Sequence, residues 1–205
     1  MAVDLKKLRQ QLRYQRRVVS SFQQQRKSVS RFEHQRTQQQ VFQRLIRLKK
    51  FQQAHKVGIY LHAFGEVHTR QIIEYCFKQH KQVYLPMICT MNQQLRWVKI
   101  SQRQYRNQRF SHHALGMQEP MASRGVHVSH LDLLILPLLA CDLLGTRIGM
   151  GGGFYDRTLA SARHRPLRFG IAHDFQLVTN PLPRKPWDQA LDGLITPTKS
   201  LHFTR

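Results

Sequence analysis

A glycine-rich segment between two arginines contains the residues best suited to chemistry. Residues 146–157 read Thr-Arg-Ile-Gly-Met-Gly-Gly-Gly-Phe-Tyr-Asp-Arg, so four of the chain's 11 glycines lie from Gly149 to Gly153. Glycine lets backbone N–H groups turn toward a ligand, and a helix predicted to start at Phe154 would favour an anion at its N-terminus. Asp156 in that first turn could hold Mg²⁺ against phosphate oxygens. The segment predicts a phosphate site. A plain tight turn is the alternative, since the spacing fits neither the dinucleotide fingerprint nor the Walker motif.

Three further groups of charged residues lie where they could meet a ligand. Glu66 follows the end of a predicted strand by five residues, and its alternatives are a surface carboxylate or a charge near the start of the next helix. Asp188 precedes the last predicted strand and could equally be a turn or cap residue. The N-terminal helix carries six basic side chains, for which a solvated face is the alternative to phosphate binding: Lys6, Lys7, Arg9, Arg13, Arg16 and Arg17.

The charge balance favours anionic partners without selecting one of them. The 205 residues include 33 Lys plus Arg and 11 Asp plus Glu, which gives a formal net charge of +22. Such an excess suits nucleic acid, an anionic membrane, or small anions such as ATP. A chain of this length and composition fits one α/β domain.

The cysteines and the apolar segments predict a cytoplasmic protein. Cys76, Cys89 and Cys141 form no closely spaced pair and lie in or beside apolar segments, which favours reduced, packed thiols. The most apolar run, 131–144, is interrupted by charges and a proline and is too short to cross a bilayer. The charged N-terminus has no apolar leader segment, so we expect a soluble protein of the cytoplasm.

The elements that would position these residues alternate between helices and strands. The hydrophobic pattern predicts helices over 4–19 and 22–53, separated at Ser20-Ser21, and a further helix after Thr69. Strands are predicted at 56–61, 82–85, 95–100, 133–137, 168–172 and 193–196. The second strand is expected to end at Pro86, the third to be an antiparallel edge strand, and residues 103–124 to be irregular.

These elements predict one folding unit, in which a basic helical segment, 1–55, packs on an α/β domain, 56–205. The first two strands and the helix between them form a βαβ unit and should be parallel. Open sheets of this kind bind ligands beyond the carboxyl ends of their strands. We therefore expect the loops after Leu61 and Pro137 to meet at one site.

The glycine segment and its neighbours also resemble a known family. Residues 147–157 closely resemble the signature Arg-Leu-Gly-x-Gly-x-Gly-Tyr-Tyr-Asp-Arg of the 5-formyltetrahydrofolate cyclo-ligase (methenyltetrahydrofolate synthetase) family, and similar segments recur in order from about Leu8 to the end. The resemblance implies a Rossmann-like parallel or mixed sheet flanked by helices, as in ribose-phosphate isomerase and CoA-transferase-like proteins. It also implies ATP- and Mg²⁺-dependent closure of 5-formyltetrahydrofolate to 5,10-methenyltetrahydrofolate.

The resemblance implies a role for each matching residue. The residues implied to contact ATP are Lys6, Arg9, Arg147, Ile148, Gly149, Met150, Gly151, Gly152, Gly153, Phe154 and Tyr155. Those implied to contact the folate are Leu61, Glu66, Pro86, Leu115, Met150 and Phe154. The implied catalytic residues are Arg147, Tyr155 and Arg157, and the implied Mg²⁺ ligands are Asp156 and Asp188.

Three positions depart from the family pattern. Leu115 stands where the family often has a large aromatic residue that would stack on the folate. Leu5 stands at the family's N-terminal lysine, so that cation would either come from Lys6 or be absent. Gly152 stands where some members have a lysine, which would leave charge stabilisation to the arginines and Mg²⁺.

The expected partners are ATP and 5-formyltetrahydrofolate, with or without a polyglutamate tail, bound by a monomer. Two other hypotheses remain open at this point. The net charge of +22 would suit a basic nucleic-acid-binding module on a degenerate enzyme fold. An α/β enzyme that uses ATP with another small acid is the third.

Overall fold

The computed structural model describes residues 4–24, 28–114 and 116–204, which form an α/β fold. The strands are β1 (Lys56–Gly58), β2 (Gln82–Cys89), β3 (Gln94–Ile100), β4 (Phe110–His112), β5 (Gln118–Pro120), β6 (Leu133–Leu136), β7 (Ala140–Cys141), β8 (Arg147–Ile148), β9 (Leu167–Ile171), β10 (Gly193–Ile195) and β11 (Ser200–His202). The helices are α1 (Leu5–Gln24), α2 (Ser28–Ile46), α3 (Lys49–Gln53), α4 (Arg70–Lys78), α5 (Gln102–Arg106) and α6 (Phe154–Ala160). None of these helices is long and apolar enough to span a bilayer.

A mixed seven-stranded sheet, in the order β11-β10-β9-β6-β1-β2-β3, forms the centre of the described structure. The five inner strands are parallel, while β3 and β11 run antiparallel at the two edges. The predicted fold class is therefore confirmed. The direction of strand succession reverses between β1 and β6, and such a switch point opens a ligand crevice at the carboxyl ends of the strands.

Apolar side chains cover both faces of the sheet, as a buried parallel strand requires. In β6, Leu133 and Ile135 pack against α2, α3 and α4, while Leu134 and Leu136 join the cluster on the opposite face. The thiols of Cys76 and Cys141 are buried, as predicted, and burial raises the pKa of both to about 12.

The N-terminal helices differ from the prediction in two ways. Helix α1 continues through Ser20-Ser21 to Gln24, so the predicted break there is wrong; serine has a moderate helix propensity and does not by itself end a helix. The predicted helix over 22–53 is divided, because Leu48 adopts an extended conformation between α2 and α3. This turn buries Phe51, whose ring stacks on Tyr75 of α4. The division into segments 1–55 and 56–205 stays a prediction.

The prediction that the second strand ends at Pro86 is wrong, because β2 continues to Cys89. Pro86 lies opposite Trp97 in β3, and the backbone N–H and C=O of Trp97 bond to Val126 on the far side of that strand. Pro86 and Trp97 are therefore a pair without hydrogen bonds between their backbones, and no N–H is needed from the proline toward β3. β1 has already ended at this level, so the missing N–H costs the sheet no ladder bond.

Residues 103–124 are more regular than predicted. Ser101 caps α5, because its hydroxyl accepts from the Gln104 N–H at 3.1 Å while the Gln104 side chain accepts from the Ser101 N–H at 2.8 Å. This Ser-x-x-Gln capping box was legible in the sequence. The hairpin β4–β5 follows it. The strand at 193–196 is also not the last one, since β11 pairs with it at the edge.

Candidate active site

The segment after β8 forms an open loop that depends on glycine. Gly151 and Gly153 have φ values of 104° and 68°, which side chains other than glycine seldom adopt. Gly153 is the residue before α6, and its carbonyl accepts the Arg157 N–H at 2.9 Å. The loop therefore turns back directly into the helix that carries Asp156.

An ion pair joins the two ends of this loop. Nη2 of the buried Arg147 donates to Oδ2 of Asp156 at 2.9 Å, and Oδ1 of Asp156 accepts the Gln189 N–H at 3.1 Å. The Arg147 guanidinium also lies over the Tyr155 ring, 5.6 Å from its centre. Arg157 is exposed, and its Nη2 donates to the Gly152 carbonyl at 2.7 Å. Both flanking arginines thus hold the loop in place.

A pocket of about 820 Å³ opens at the carboxyl ends of the inner strands. Its floor is formed by residues that directly follow β1 and β6, which are Tyr60, Leu61, Pro137 and Leu138. The glycine loop forms one wall, and α1 contributes Leu5, Arg9 and Arg16. The pocket therefore lies at the switch point of the sheet, where the sequence predicted that the loops after Leu61 and Pro137 would meet.

The opposite wall carries a nearly buried carboxylate, Glu66, on the turn after β1. Its Oε2 accepts the Ala63 N–H at 3.0 Å, and its Oε1 lies 3.5 Å from Nη1 of Arg16. Burial raises the pKa of Glu66 to about 7, although Arg16 and the Ala63 N–H favour the charged form. Burial and the nearby Glu66 charge also raise the pKa of Tyr60 and of Tyr155. This wall holds a carboxyl group that titrates near neutral pH.

Arg16 was not predicted as a site residue, and it links three walls of the pocket. Besides Glu66, its guanidinium donates to the carbonyl of Phe64 at 3.0 Å and to that of Leu138 at 3.4 Å, and contacts the sulfur of Met150 at 3.5 Å. The sequence contains a signal for the burial of Arg16, because this residue follows Leu5, Leu8 and Leu12 on the apolar stripe of α1. A cation on the buried stripe of a helix needs an internal partner.

Most of the predicted site residues line this one pocket. They are Arg9, Leu61, Glu66, Pro86, Arg147, Gly149, Met150, Gly151, Gly152, Gly153, Phe154, Tyr155, Asp156, Arg157 and Asp188. Lys6 is exposed and lies outside the lining. Ile148 is buried beside Leu139, whose N–H its carbonyl accepts at 2.7 Å. Leu115 lies outside the described residues.

Further lining residues were not among the predicted site residues. They include Tyr60, Phe64, Ile88, Glu119, Lys185 and Trp187. The carboxylate of Glu119 accepts the Ile88 N–H at 3.0 Å and so attaches the hairpin β4–β5 to the pocket edge. Trp187 is largely exposed beneath the Lys185 ammonium, which lies 5.1 Å from its ring centre. Phe64 and Trp187 lie in loops, where no periodic signal could place them.

Two carboxylates of the pocket could hold a divalent cation. Asp156 uses two of a carboxylate's roughly four lone-pair sites in its bonds to Arg147 and Gln189. Asp188 accepts the Lys185 N–H at 2.8 Å and lines the same pocket. Over the described residues, no three His, Cys, Asp or Glu side chains cluster as a metal site. Mg²⁺ is usually bound by one or two carboxylates, with phosphate and water oxygens as its other ligands. Asp156 and Asp188 therefore fit Mg²⁺ bound together with a nucleotide.

Comparison with known proteins identifies the family to which the chain is similar. The model of the 5-formyltetrahydrofolate cyclo-ligase family matches residues 3–197. The 5-formyltetrahydrofolate cyclo-ligase of Escherichia coli is 35% identical over 166 residues, covering 78% of this chain and 88% of that protein. The corresponding protein of Haemophilus influenzae is 32% identical over 161 residues, covering 77% and 84%.

Solved structures show the same fold. The 5,10-methenyltetrahydrofolate synthetase of Aquifex aeolicus superposes with a TM-score of 0.77 at 27% identity and covers 98% of this chain and 93% of its own. That of Mycoplasma pneumoniae gives a TM-score of 0.69 at 19% identity over 95% of this chain and 99% of its own. By its sequence and by its fold, the chain belongs to the 5-formyltetrahydrofolate cyclo-ligase family.

Proposed function

We propose that this protein uses ATP to close 5-formyltetrahydrofolate to 5,10-methenyltetrahydrofolate, with release of ADP and phosphate. Its family and its named relatives support this activity. The observation that carries the proposal is a single pocket that brings the glycine loop, the Arg147–Asp156 pair and the Glu66 carboxylate to the switch point of the sheet. One side of the pocket suits a triphosphate, and the other suits a flat heterocycle with N–H donors.

The triphosphate would lie along the glycine loop. Backbone N–H groups of residues 149–153 can approach phosphate oxygens without side chains in the way. Arg9 and Arg147 line the pocket, and the buried Nε of each has no hydrogen-bond partner within the described structure. Arginine suits phosphate oxygens because its fork donates two bonds at once. The unused donors of Arg9 and Arg147 therefore support phosphate binding here.

The folate would lie between the glycine loop and the Glu66 turn. A charged Glu66 can accept paired N–H bonds from an aminopyrimidine edge, and Arg16 holds it in position. Leu61, Pro86, Met150 and Phe154 supply apolar contact on the same pocket surface. Lys6 and Leu115 stay sequence-based predictions, because the first lies outside the pocket lining and the second outside the described residues.

The proposed reaction proceeds in two stages. The formyl oxygen attacks the γ-phosphorus, and the bond from the γ-phosphorus to the bridging β-phosphate oxygen breaks. ADP departs, and the folate becomes a phosphorylated iminium. The neighbouring folate nitrogen then attacks the former formyl carbon, loses its proton to solvent, and the C–O bond breaks to release phosphate. Such transfer depends on positioning and charge neutralisation rather than on a protein nucleophile. Arg147 and Arg157 would neutralise phosphate charge, and Tyr155 would shape the loop between the substrates.

Mg²⁺ is part of the proposal, with Asp156 and Asp188 as its ligands. When bound, the ion would neutralise phosphate charge during transfer. Asp156 would share its carboxylate between the metal and Arg147, which keeps the ligand oriented. Catalysis by a monomer and a cytoplasmic location are part of the proposal, and the buried thiols of Cys76 and Cys141 support that location. A polyglutamate tail on the folate would suit the net charge of +22.

The direct test is to incubate the protein with ATP, Mg²⁺ and 5-formyltetrahydrofolate and to follow the methenyl chromophore. We expect turnover by the wild type and a loss of at least roughly 100-fold in kcat/KM for Asp156→Asn. Glu74→Gln is the matched control, because this carboxylate pairs with Arg70 on the surface of α4. A wild type without turnover that binds RNA with strong salt dependence would contradict the proposal and favour the nucleic-acid module.

A further inference from the structure

The turn after β1 contains a phenylalanine that its backbone does not favour. The Glu66 N–H donates to the Ala63 carbonyl at 3.0 Å, and the two central residues, Phe64 and Gly65, have φ values of 52° and 76°. Positive φ at both central positions is the geometry of a type I′ turn, which favours Asn or Asp followed by Gly. Gly65 fits this rule. Phe64 breaks it, since a bulky side chain seldom adopts that conformation.

The surroundings hold Phe64 in this conformation. Arg16 donates to the Phe64 carbonyl at 3.0 Å, and the Glu66 carboxylate closes the turn by accepting the Ala63 N–H at 3.0 Å. A residue that breaks a local rule and is held there by its neighbours is expected at a functional site. The exposure of Phe64 points the same way, because 47% of its surface is accessible although it is a large apolar residue.

Phe64 also lies where a ligand would meet its ring. It lines the pocket together with Glu66, two residues later on the same turn. Its ring lies close to Gly116. If residue 116 had a side chain, its Cβ would lie only 3.0 Å from the Phe64 Cζ atom. Next to Gly116, the Met117 carbonyl accepts the His113 N–H at 2.8 Å. The Phe64 ring therefore lies between its own turn and Gly116 at the pocket wall.

An aromatic face beside the nearly buried Glu66 carboxylate is suited to one class of ligand. A flat heterocycle can stack on the ring through its π face and donate N–H bonds to the carboxylate through its edge. We propose that Phe64 is a specificity-determining residue of the folate site, and that its ring stacks on the pterin whose N–H edge Glu66 accepts. This inference rests on the proposed function and names a contact in that site.

Phe64→Asn provides a sharp test because asparagine suits the turn better than phenylalanine does. We expect the variant to keep or gain thermal stability and to keep its KM for ATP. Its KM and its equilibrium Kd for 5-formyltetrahydrofolate should rise roughly 5- to 100-fold, as for the loss of one aromatic stacking contact. Phe64→Tyr should retain most of the affinity. Met91→Asn is the control, since Met91 is fully exposed in the turn between β2 and β3.

The outcomes separate this inference from the proposed function. Wild-type turnover together with an unchanged folate Kd in Phe64→Asn would overturn the stacking role alone. A parallel fall in ATP affinity, folate affinity and thermal stability would also overturn it, because that pattern indicates a structural role. A wild type that neither binds nor converts the folate would overturn both proposals.

Discussion

Nη1 of Arg16 lies 3.5 Å from Oε1 of Glu66, and the side chains of both residues are almost completely buried. The same guanidinium donates to the carbonyl of Phe64, which precedes Glu66 on the turn after β1. One arginine from α1 therefore fixes both a carboxylate and the backbone that carries it. The N-terminal helix is thus part of the pocket wall, and its removal would leave Glu66 without its cation.

Replacing Arg16 with methionine should destabilise the fold, and more so at high pH. Breaking a buried ion pair by removing one partner costs roughly 3–5 kcal/mol, because the other charge stays buried. At low pH, Glu66 takes up a proton and is no longer charged, so the stability lost in Arg16→Met should be smaller. Denaturant unfolding at about pH 5 and about pH 9 measures this difference. Arg17→Met is the control, since Arg17 is exposed on the same helix. An equal loss at both pH values would contradict the ion pair.

The stability of the wild type should fall with rising pH through the titration of Glu66. Burial raises the pKa of Glu66 from 4.5 to about 7, so the folded state binds this proton more tightly than the unfolded chain does. Over this interval the folded protein carries more protons, and stability is lost as pH rises. The contribution is roughly 3 kcal/mol. It should be absent from Glu66→Gln. A difference between the two proteins that does not change with pH would refute this assignment.

Gly153 should tolerate asparagine far better than valine. Its φ of 68° is left-handed, a conformation that asparagine adopts and that is a genuine outlier for a β-branched residue. The strain amounts to about 1–2 kcal/mol for an ordinary residue. We expect Gly153→Val to raise the KM for ATP about 10-fold more than Gly153→Asn does. Steady-state kinetics with varied ATP measures this, and identical values for the two variants would show that the loop conformation does not matter.

Asp156 and Asp188 should both set the Mg²⁺ requirement. We expect Asp156→Asn and Asp188→Asn each to raise the Mg²⁺ concentration for half-maximal activity by at least about 10-fold. Asp156→Asn should also lower thermal stability, because Arg147 loses its ion pair, whereas Asp188→Asn should not. Magnesium titrations at saturating ATP provide the measurement, with Glu74→Gln as control. An unchanged requirement in either variant would remove that residue from the metal site.

The sequence predicted those parts of the site whose chemistry is local. The glycine run and the helix after it were predictable, because glycine content and the change of hydrophobic period are properties of neighbouring residues. The position of Leu61 and Glu66 on one pocket followed from a general rule, since parallel strands end at a common sheet edge. The capping box of Ser101 and Gln104 is equally local, because it depends on residues three apart.

The sequence did not predict the features that depend on partners distant along the chain. Arg16 looked like one of six basic residues on a helix, and only the fold shows that it faces Glu66, 50 residues later. Pro86 looked like a strand end, because the sequence does not reveal that Trp97 opposite it bonds to Val126. Phe64 had no periodic signal, and its role depends on a turn closed by Glu66 and Arg16.

The central claim is that the backbone of residues 149–153 cradles a triphosphate next to Asp156. A crystal structure with Mg²⁺ and a non-hydrolysable ATP analogue tests it most directly. We predict phosphate oxygens within hydrogen-bonding distance of these backbone N–H groups and of Arg147, with the metal on Asp156. A triphosphate bound elsewhere in the molecule, with this loop empty, would contradict the account.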